Sequence, residues 1–187
     1  FVGNLIAIGQ NSLKRMLAAS GIVHSGYLLI ALVAINSEEF TGSTIAFYLA
    51  AYAVSTLGIF AALSYLGGEG EKRNSFDDFN GLAKVRPYSA ACIAIFLLSM
   101  AGIPPTAGFM GKFYIIAGAF KEGHISLGVL GIFSSILSMW YYLRLIIAMY
   151  FREPKDDFEV GELTLAPVGT FVLALMVFVL SFIPVMI

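Results

Sequence analysis

Leu98-Ser99-Met100-Ala101-Gly102-Ile103-Pro104-Pro105-Thr106-Ala107-Gly108-Phe109-Met110-Gly111-Lys112-Phe113-Tyr114 decides how this chain is read. The stretch lies inside Tyr88–Phe120, an apolar run of 33 residues. As one helix that run would be about 50 Å long, against a bilayer hydrocarbon core of roughly 30 Å. Pro104 and Pro105 remove two backbone donors, and Pro104 biases Ile103 away from helical angles. Gly102 and Gly108 flank them with permissive backbone. The sequence therefore predicts a helix broken near 102–108. Unpaired backbone at membrane depth is tolerated only where protein or water satisfies it, so the break implies a cavity or an ion path.

Working outward, the same solvent is implied everywhere. The 187 residues are 59% hydrophobic and 12% charged, and the mean hydropathy is +0.87. Soluble domains carry about 25% charged residues. Further spans are expected at Phe1–Gly9 (the tail of a helix), Met16–Ile35, Thr44–Leu66, Ile125–Phe151 and Leu163–Ile187. The expectation is one all-α, polytopic transmembrane domain over residues 1–187. Phe1 falls inside an apolar run with neither Met nor a charged leader, which reads as a truncation. A net charge of −1 leaves no basic footprint for nucleic acid. Cys92 is the one cysteine, so there is no disulfide framework and no thiolate metal site.

The loops supply an orientation. If spans alternate, Gln10–Arg15, Gly67–Pro87 and Arg152–Glu162 share one side. They hold Lys14, Arg15, Lys72, Arg73, Lys84, Arg86, Arg152 and Lys155, eight of the eleven basic residues. The positive-inside rule makes that side cytoplasmic. Asn36–Ser43, with Glu38 and Glu39, falls on the opposite side. Glu69–Asp78 and Glu153–Glu162 read as solvated connectors.

Lys121 falls on the opposite side beside Glu122, and the last two basic residues lie inside the membrane. Lys112 follows the break directly, in the first turns of the second half-helix. Burial disfavours its ammonium, as does the positive end of its own half-helix, and its span offers no acid. A lysine so placed can take up and release protons. The bland alternative is snorkelling toward Phe120, eight residues away, which leaves the break unexplained. Arg144, seven residues before Phe151, reads as an anchor packed among Trp140, Tyr141 and Tyr142.

Among uncharged candidates, Ser20, His24 and Tyr27 share one helix face at i, i+4 and i+7. Such a face can carry a proton relay through His24, or simply hydrogen-bond a neighbouring helix. Ser55 and Thr56 sit mid-span, either packing close to a neighbour or lining a wet path. No nucleotide-binding loop, metal cluster or catalytic triad pattern is present.

Two stretches resemble a known family. Ser12-Leu13-Lys14-Arg15-Met16-Leu17-Ala18-Ala19-Ser20-Gly21-Ile22-Val23-His24-Ser25-Gly26-Tyr27 is similar to a motif of the antiporter-like subunits of respiratory complex I, Mrp antiporters and membrane-bound hydrogenases. Ala19 and Gly21 stand where the family usually has tyrosine and serine. Leu98–Tyr114 resembles the family's broken helix in its N-type version; the M-type usually has glutamate at the place of Lys112. The absence of charge in Thr44–Leu66 also fits the N-type.

The resemblance implies a fold of about fourteen spans with two inverted repeats, each containing a broken helix. This chain would supply the second repeat and the C-terminal helix. It implies proton translocation in a bacterial inner or other energy-transducing membrane, coupled to quinone reduction elsewhere in an NADH-quinone oxidoreductase. Lys112 and His24 would relay protons, with Ser20, Tyr27, Ser55 and Thr56 beside a water path. The subunit would be non-catalytic, with no cofactor of its own. NADH, FMN, Fe–S clusters and quinone would sit in other subunits, and the partners would be neighbouring antiporter-like subunits and lipid. The competing implication is an Mrp-type cation/proton antiporter or a membrane-bound hydrogenase subunit.

Overall fold

The computed structural model describes residues 1–34, 38–67, 73–155 and 165–183, apart from the side chains of 34, 38–41 and 165. Its elements are α1 (Val2–Ile8), α2 (Leu13–Ala34), α3 (Glu38–Gly67), a 3-10 turn at Phe76–Phe79, α4 (Leu82–Val85), α5 (Pro87–Ala101), α6 (Ala107–Lys121), α7 (Ile125–Phe151) and α8 (Leu165–Ser181). The chain is an all-α bundle. Among the described residues, three helices are long and apolar enough to cross a membrane: Leu13–Val33, Gly42–Gly67 and Ile125–Phe151.

The helices reach further than the apolar runs do. α2 begins at Leu13 and takes in Lys14 and Arg15; α3 begins at Glu38, before the apolar run opens at Thr44. Lysine, arginine and glutamate are good helix formers, so a charged turn can extend a span that hydropathy alone would end. The last four residues of the expected Leu163–Ile187 span, and most of the Glu153–Glu162 connector, lie outside the described residues.

The expected long span is divided in two. α5 stops at Ala101 because Gly102 adopts φ 83°, a left-handed cap whose N–H reaches back to the carbonyls of Leu98 and Ser99. The N–H of Ile103 also returns to Leu98, at 3.0 Å. These bonds satisfy carbonyls that the helix end would otherwise leave unpaired. α6 restarts on Thr106, whose hydroxyl accepts from the N–H of Phe109 at 3.4 Å and donates to Ile103 at 2.7 Å. Gly108 sets the closeness of the two halves: a Cβ there would run into the Ser99 carbonyl.

Packing places this break at the centre. α6 touches α2, α3, α5, α7 and α8, while α3 runs along α5 and α8. Among the described residues, the buried side chains form two apolar clusters. One gathers Met16, Leu66, Phe79, Leu82, Phe96 and Tyr142; the other gathers Val23, Tyr27, Ala31, Tyr48 and Ile115. Leu29, Leu57, Phe133 and Val179 point outward and are largely exposed, as expected of a surface solvated by lipid or by other apolar chains.

One end of the bundle is closed by its loops. Ser12 and Ser75 form an antiparallel bridge, Lys84 pairs with Glu153 at 2.6 Å, and Arg152 pairs with Asp77 at 2.9 Å. The segments around residues 10–12, 73–86 and 152–154 thus meet at a common end. The reading of Glu69–Asp78 as a solvated connector is corrected at one described residue. Phe76 is buried, and so are Phe79 and Leu82 just beyond it, because three apolar side chains amid the charges find the core. For Arg144 the packing partners are corrected. Its guanidinium lies 4.3 Å from the centre of the Phe76 ring and donates to Gln10 and Asn11. Tyr141 and Tyr142 turn inward and Trp140 outward.

Candidate functional site

Lys112 sits one and a half turns into α6 and is 4% exposed. Its Nζ donates to the carbonyl of Met100 at 2.8 Å, to that of Ala101 at 3.0 Å and to Ser135 Oγ at 3.4 Å. Met100 and Ala101 close α5, so the lysine of one half-helix caps the other. The cause is local. Gly102 turns the backbone sharply and lays its Cα beside the lysine stem; a Cβ at Gly102 would meet Lys112 Cδ at 2.9 Å. The negative end of α5 thereby offsets the positive end of α6. The Tyr27 ring adds a face 5.0 Å from Nζ, a favourable cation–π distance. All the hydrogen-bond partners of this ammonium are neutral.

His24 lies on α2, 4% exposed. Nδ1 is 2.7 Å from the Tyr48 hydroxyl and Nε2 is 3.4 Å from that of Tyr142. Its ring also stacks on Tyr52 with centroids 4.4 Å apart. A neutral imidazole has one donor and one acceptor nitrogen, and each phenol can play either part. The Tyr48–His24–Tyr142 chain can therefore run in either direction. It joins a member of each apolar cluster and forms a polar layer between them.

One small cavity connects the two ionisable groups. Its walls are His24, Tyr48, Tyr52, Ser55, Ser99 and Lys112, with Ala51, Met100 and Gly108. Its volume is about 10 Å³, near the lower limit for a single water. The hydroxyls of Ser55 and Ser99 lie 2.9 Å apart, and the N–H of Gly108 donates to Ser99 Oγ at 3.3 Å.

The structure thus brings together Lys112, His24, Ser55, Tyr27 and the break residues Gly102 and Gly108. Ser20 is fully buried and bonds back to Leu17 at 2.7 Å, outside the cavity wall. Thr56 is also off the cavity, and its hydroxyl is buried without a hydrogen-bond partner. Pro104 and Pro105 form the turn between the half-helices rather than the wall. No cluster of three metal-ligating side chains occurs among the described residues.

Several residues of this polar layer were not anticipated. Tyr48, Tyr142 and Ser99 complete it, and Ser135 joins α7 to Lys112. Beside it, buried Asn4 donates to the carbonyl and hydroxyl of Ser134 and accepts from Tyr141 at 3.1 Å. A signal for α7 existed. Gly128, Gly131, Ser134, Ser138 and Tyr142 recur every three or four residues, and all are buried. That stripe of small and polar residues marks the face turned into the bundle.

Subunit N 1 of the NADH-quinone oxidoreductase of Solibacter usitatus is 47% identical over 174 residues, covering 93% of this chain and 35% of its own. Subunit N of the Bdellovibrio bacteriovorus enzyme is 40% identical over 185 residues, covering 97% of this chain and 38% of its own. The chain thus spans somewhat over a third of the length of these relatives, which are subunits of NADH-quinone oxidoreductase. Among solved structures, a chain of respiratory complex I from Thermus thermophilus matches with a TM-score of 0.84 at 32% identity, over 99% of this chain and 41% of that one. A chain of the Mrp complex from Dietzia sp. also gives 0.84, at 20% identity over 97% of this chain and 42% of that one, a likeness of fold alone. The Proton_antipo_M family profile, described as NADH:quinone oxidoreductase/Mrp antiporter, TM, matches residues 1–138, and the chain belongs to that family.

Proposed function

We propose that this chain is a proton-translocating part of subunit N of an NADH-quinone oxidoreductase in an energy-transducing membrane, the bacterial inner membrane by its relatives. Lys112 is the group that takes up and releases the proton. One observation carries the reading: a buried lysine held at a helix break shares a cavity with a histidine that has tyrosine hydroxyls on both ring nitrogens. In the charged state, three N–H groups of Lys112 meet three acceptors. On release, the ammonium turns about its Cε–Nζ bond to aim one N–H into the small cavity, the proton passes toward Ser55 and His24, and the neutral amine turns back. The Tyr48–His24–Tyr142 chain can carry it onward by exchanging donor and acceptor roles.

The chain does no redox chemistry in this reading. NADH, FMN, iron–sulfur clusters and quinone belong to other subunits, and quinone reduction there drives the proton step here. Neighbouring antiporter-like subunits cover part of the exposed apolar surface. The loop-closed end, rich in Lys and Arg, faces the cytoplasm. An Mrp antiporter role is less favoured, because the likeness to the Mrp chain is one of fold while the curated relatives above are subunits N.

The test is a Lys112→Met variant of the full-length subunit, assembled in its complex in inverted membrane vesicles. NADH-driven acidification should fall to a small fraction of wild type with assembly intact. Undiminished acidification would overturn the proposal.

A further inference from the structure

Resting on that function, we infer that Ser135 is a positioning residue for Lys112, a hydroxyl that changes from acceptor to donor as the lysine loses its proton. The argument is one of hydrogen-bond capacity. A lysine ammonium has three donors and no acceptor. Lys112 finds three acceptors: the carbonyls of Met100 and Ala101 at 2.8 and 3.0 Å, and Ser135 Oγ at 3.4 Å. The neutral amine has two N–H groups and a lone pair, and a buried lone pair left unmatched is costly. A carbonyl cannot serve it. Of the three partners, Ser135 alone carries a hydrogen, and that hydrogen now goes to the Ala101 carbonyl at 3.2 Å. Rotation about the Cβ–Oγ bond breaks the bond to Ala101 and makes one to Nζ. The two amine hydrogens keep Met100 and Ala101. Every polar atom is served in both states, and Ser135 neither gains nor loses a proton.

The position of Ser135 adds a direction. Besides the interior cavity, Lys112 lines a groove of about 400 Å³ between α6 and α7, with Ser135, Phe109, Phe113, Ile136 and Met139. Lys112 belongs to both walls; Ser135 belongs to the groove and His24 to the cavity. Ser135 therefore holds the lysine head on the side away from His24. The other polar groups facing Lys112 are His24 and Tyr27 from α2, Tyr48, Tyr52 and Ser55 from α3, and Ser99 from α5. α8 presents no ionisable side chain within Leu165–Ser181.

The experiment compares Ser135→Ala, Ser135→Thr and Lys112→Met in the assembled complex, reading the rate of NADH-driven proton pumping against pH. Ser135→Ala should pump roughly five- to tenfold more slowly, the equivalent of one lost hydrogen bond. Its pH profile should also move, because the ammonium loses a charge-assisted bond and the neutral amine a weaker one. Ser135→Thr, which keeps the hydroxyl, should restore both rate and profile. A wild-type rate and unmoved profile in Ser135→Ala, with Lys112→Met inactive, would overturn this inference and leave the proposed function standing. Equal impairment of the alanine and threonine variants would overturn it as well, since packing alone would explain the loss. Wild-type pumping by Lys112→Met would overturn the proposed function and this inference with it.

Discussion

The Nζ of Lys112 lies 2.8 Å from the carbonyl oxygen of Met100, so a side chain of α6 closes the last turn of α5. The break thereby creates the site. An unbroken helix would keep that carbonyl in its own ladder and turn Lys112 to a different neighbour. Because Gly102 allows the chain to turn, the free carbonyls of one half become the ammonium's partners on the other.

Gly102 is therefore a residue whose replacement disturbs the Lys112 site directly. Alanine there must adopt φ near 83° and bring its Cβ within 2.9 Å of the Lys112 stem. Backbone strain alone costs about 1–3 kcal/mol, and the lysine must shift as well. Gly102→Ala should lower the thermal stability of the solubilised complex and its proton pumping together. Wild-type values for both would contradict the packing described at the break.

His24 separates a structural histidine from a titrating one. His24→Leu leaves the hydroxyls of Tyr48 and Tyr142 without their ring partner, at a cost of about 1–3 kcal/mol for each buried group left unsatisfied. His24→Gln keeps a donor and an acceptor but cannot bind a proton. The glutamine variant should assemble normally and pump several-fold more slowly, as measured by acidification of inverted vesicles at matched complex content. Full pumping by His24→Gln would reduce His24 to a packing role.

The broken helix and Lys112 were legible because proline, glycine and lysine are conspicuous in an apolar run. Their surroundings were not. Tyr142 meets His24 from 118 positions away, and Ser135 meets Lys112 from 23. Nothing local announces such pairs. A tyrosine in a span reads as an interfacial anchor, and a serine reads as a small packing residue. The buried loop residues Phe76, Phe79 and Leu82 were hidden by the charges around them. Arg144 stands among aromatic sequence neighbours, whereas its partners come from two other segments at the same end of the bundle.

Outside the membrane, Asp78 gives a pH-dependent marker for that loop. Partial burial pushes its carboxyl upward, but the N–H groups of Ser75 and Asn74, at 2.7 and 3.0 Å, and the Ser75 hydroxyl outweigh it. The net shift is below the ordinary carboxylate range. A depressed value stabilises the folded loop above the unfolded carboxylate value, about pH 4, and that contribution is lost as pH falls through the folded value. Hydrogen exchange at Asn74 and Ser75, corrected for its intrinsic pH dependence, should show protection at neutral pH that fades below about pH 4. Asp78→Ala should remove the protection at every pH. Equal protection in that variant would contradict the assignment.

The most direct test of the account is proton pumping by an assembled complex carrying Lys112→Arg. Guanidinium keeps the positive charge and does not release its proton at any physiological pH. It can still reach carbonyl oxygens, and it can snorkel as well as lysine does. A relay that must alternate between charged and neutral forms predicts an assembled complex whose NADH-driven acidification falls to a small fraction of wild type. An anchoring lysine predicts that arginine is tolerated. Wild-type acidification by Lys112→Arg would contradict the central claim.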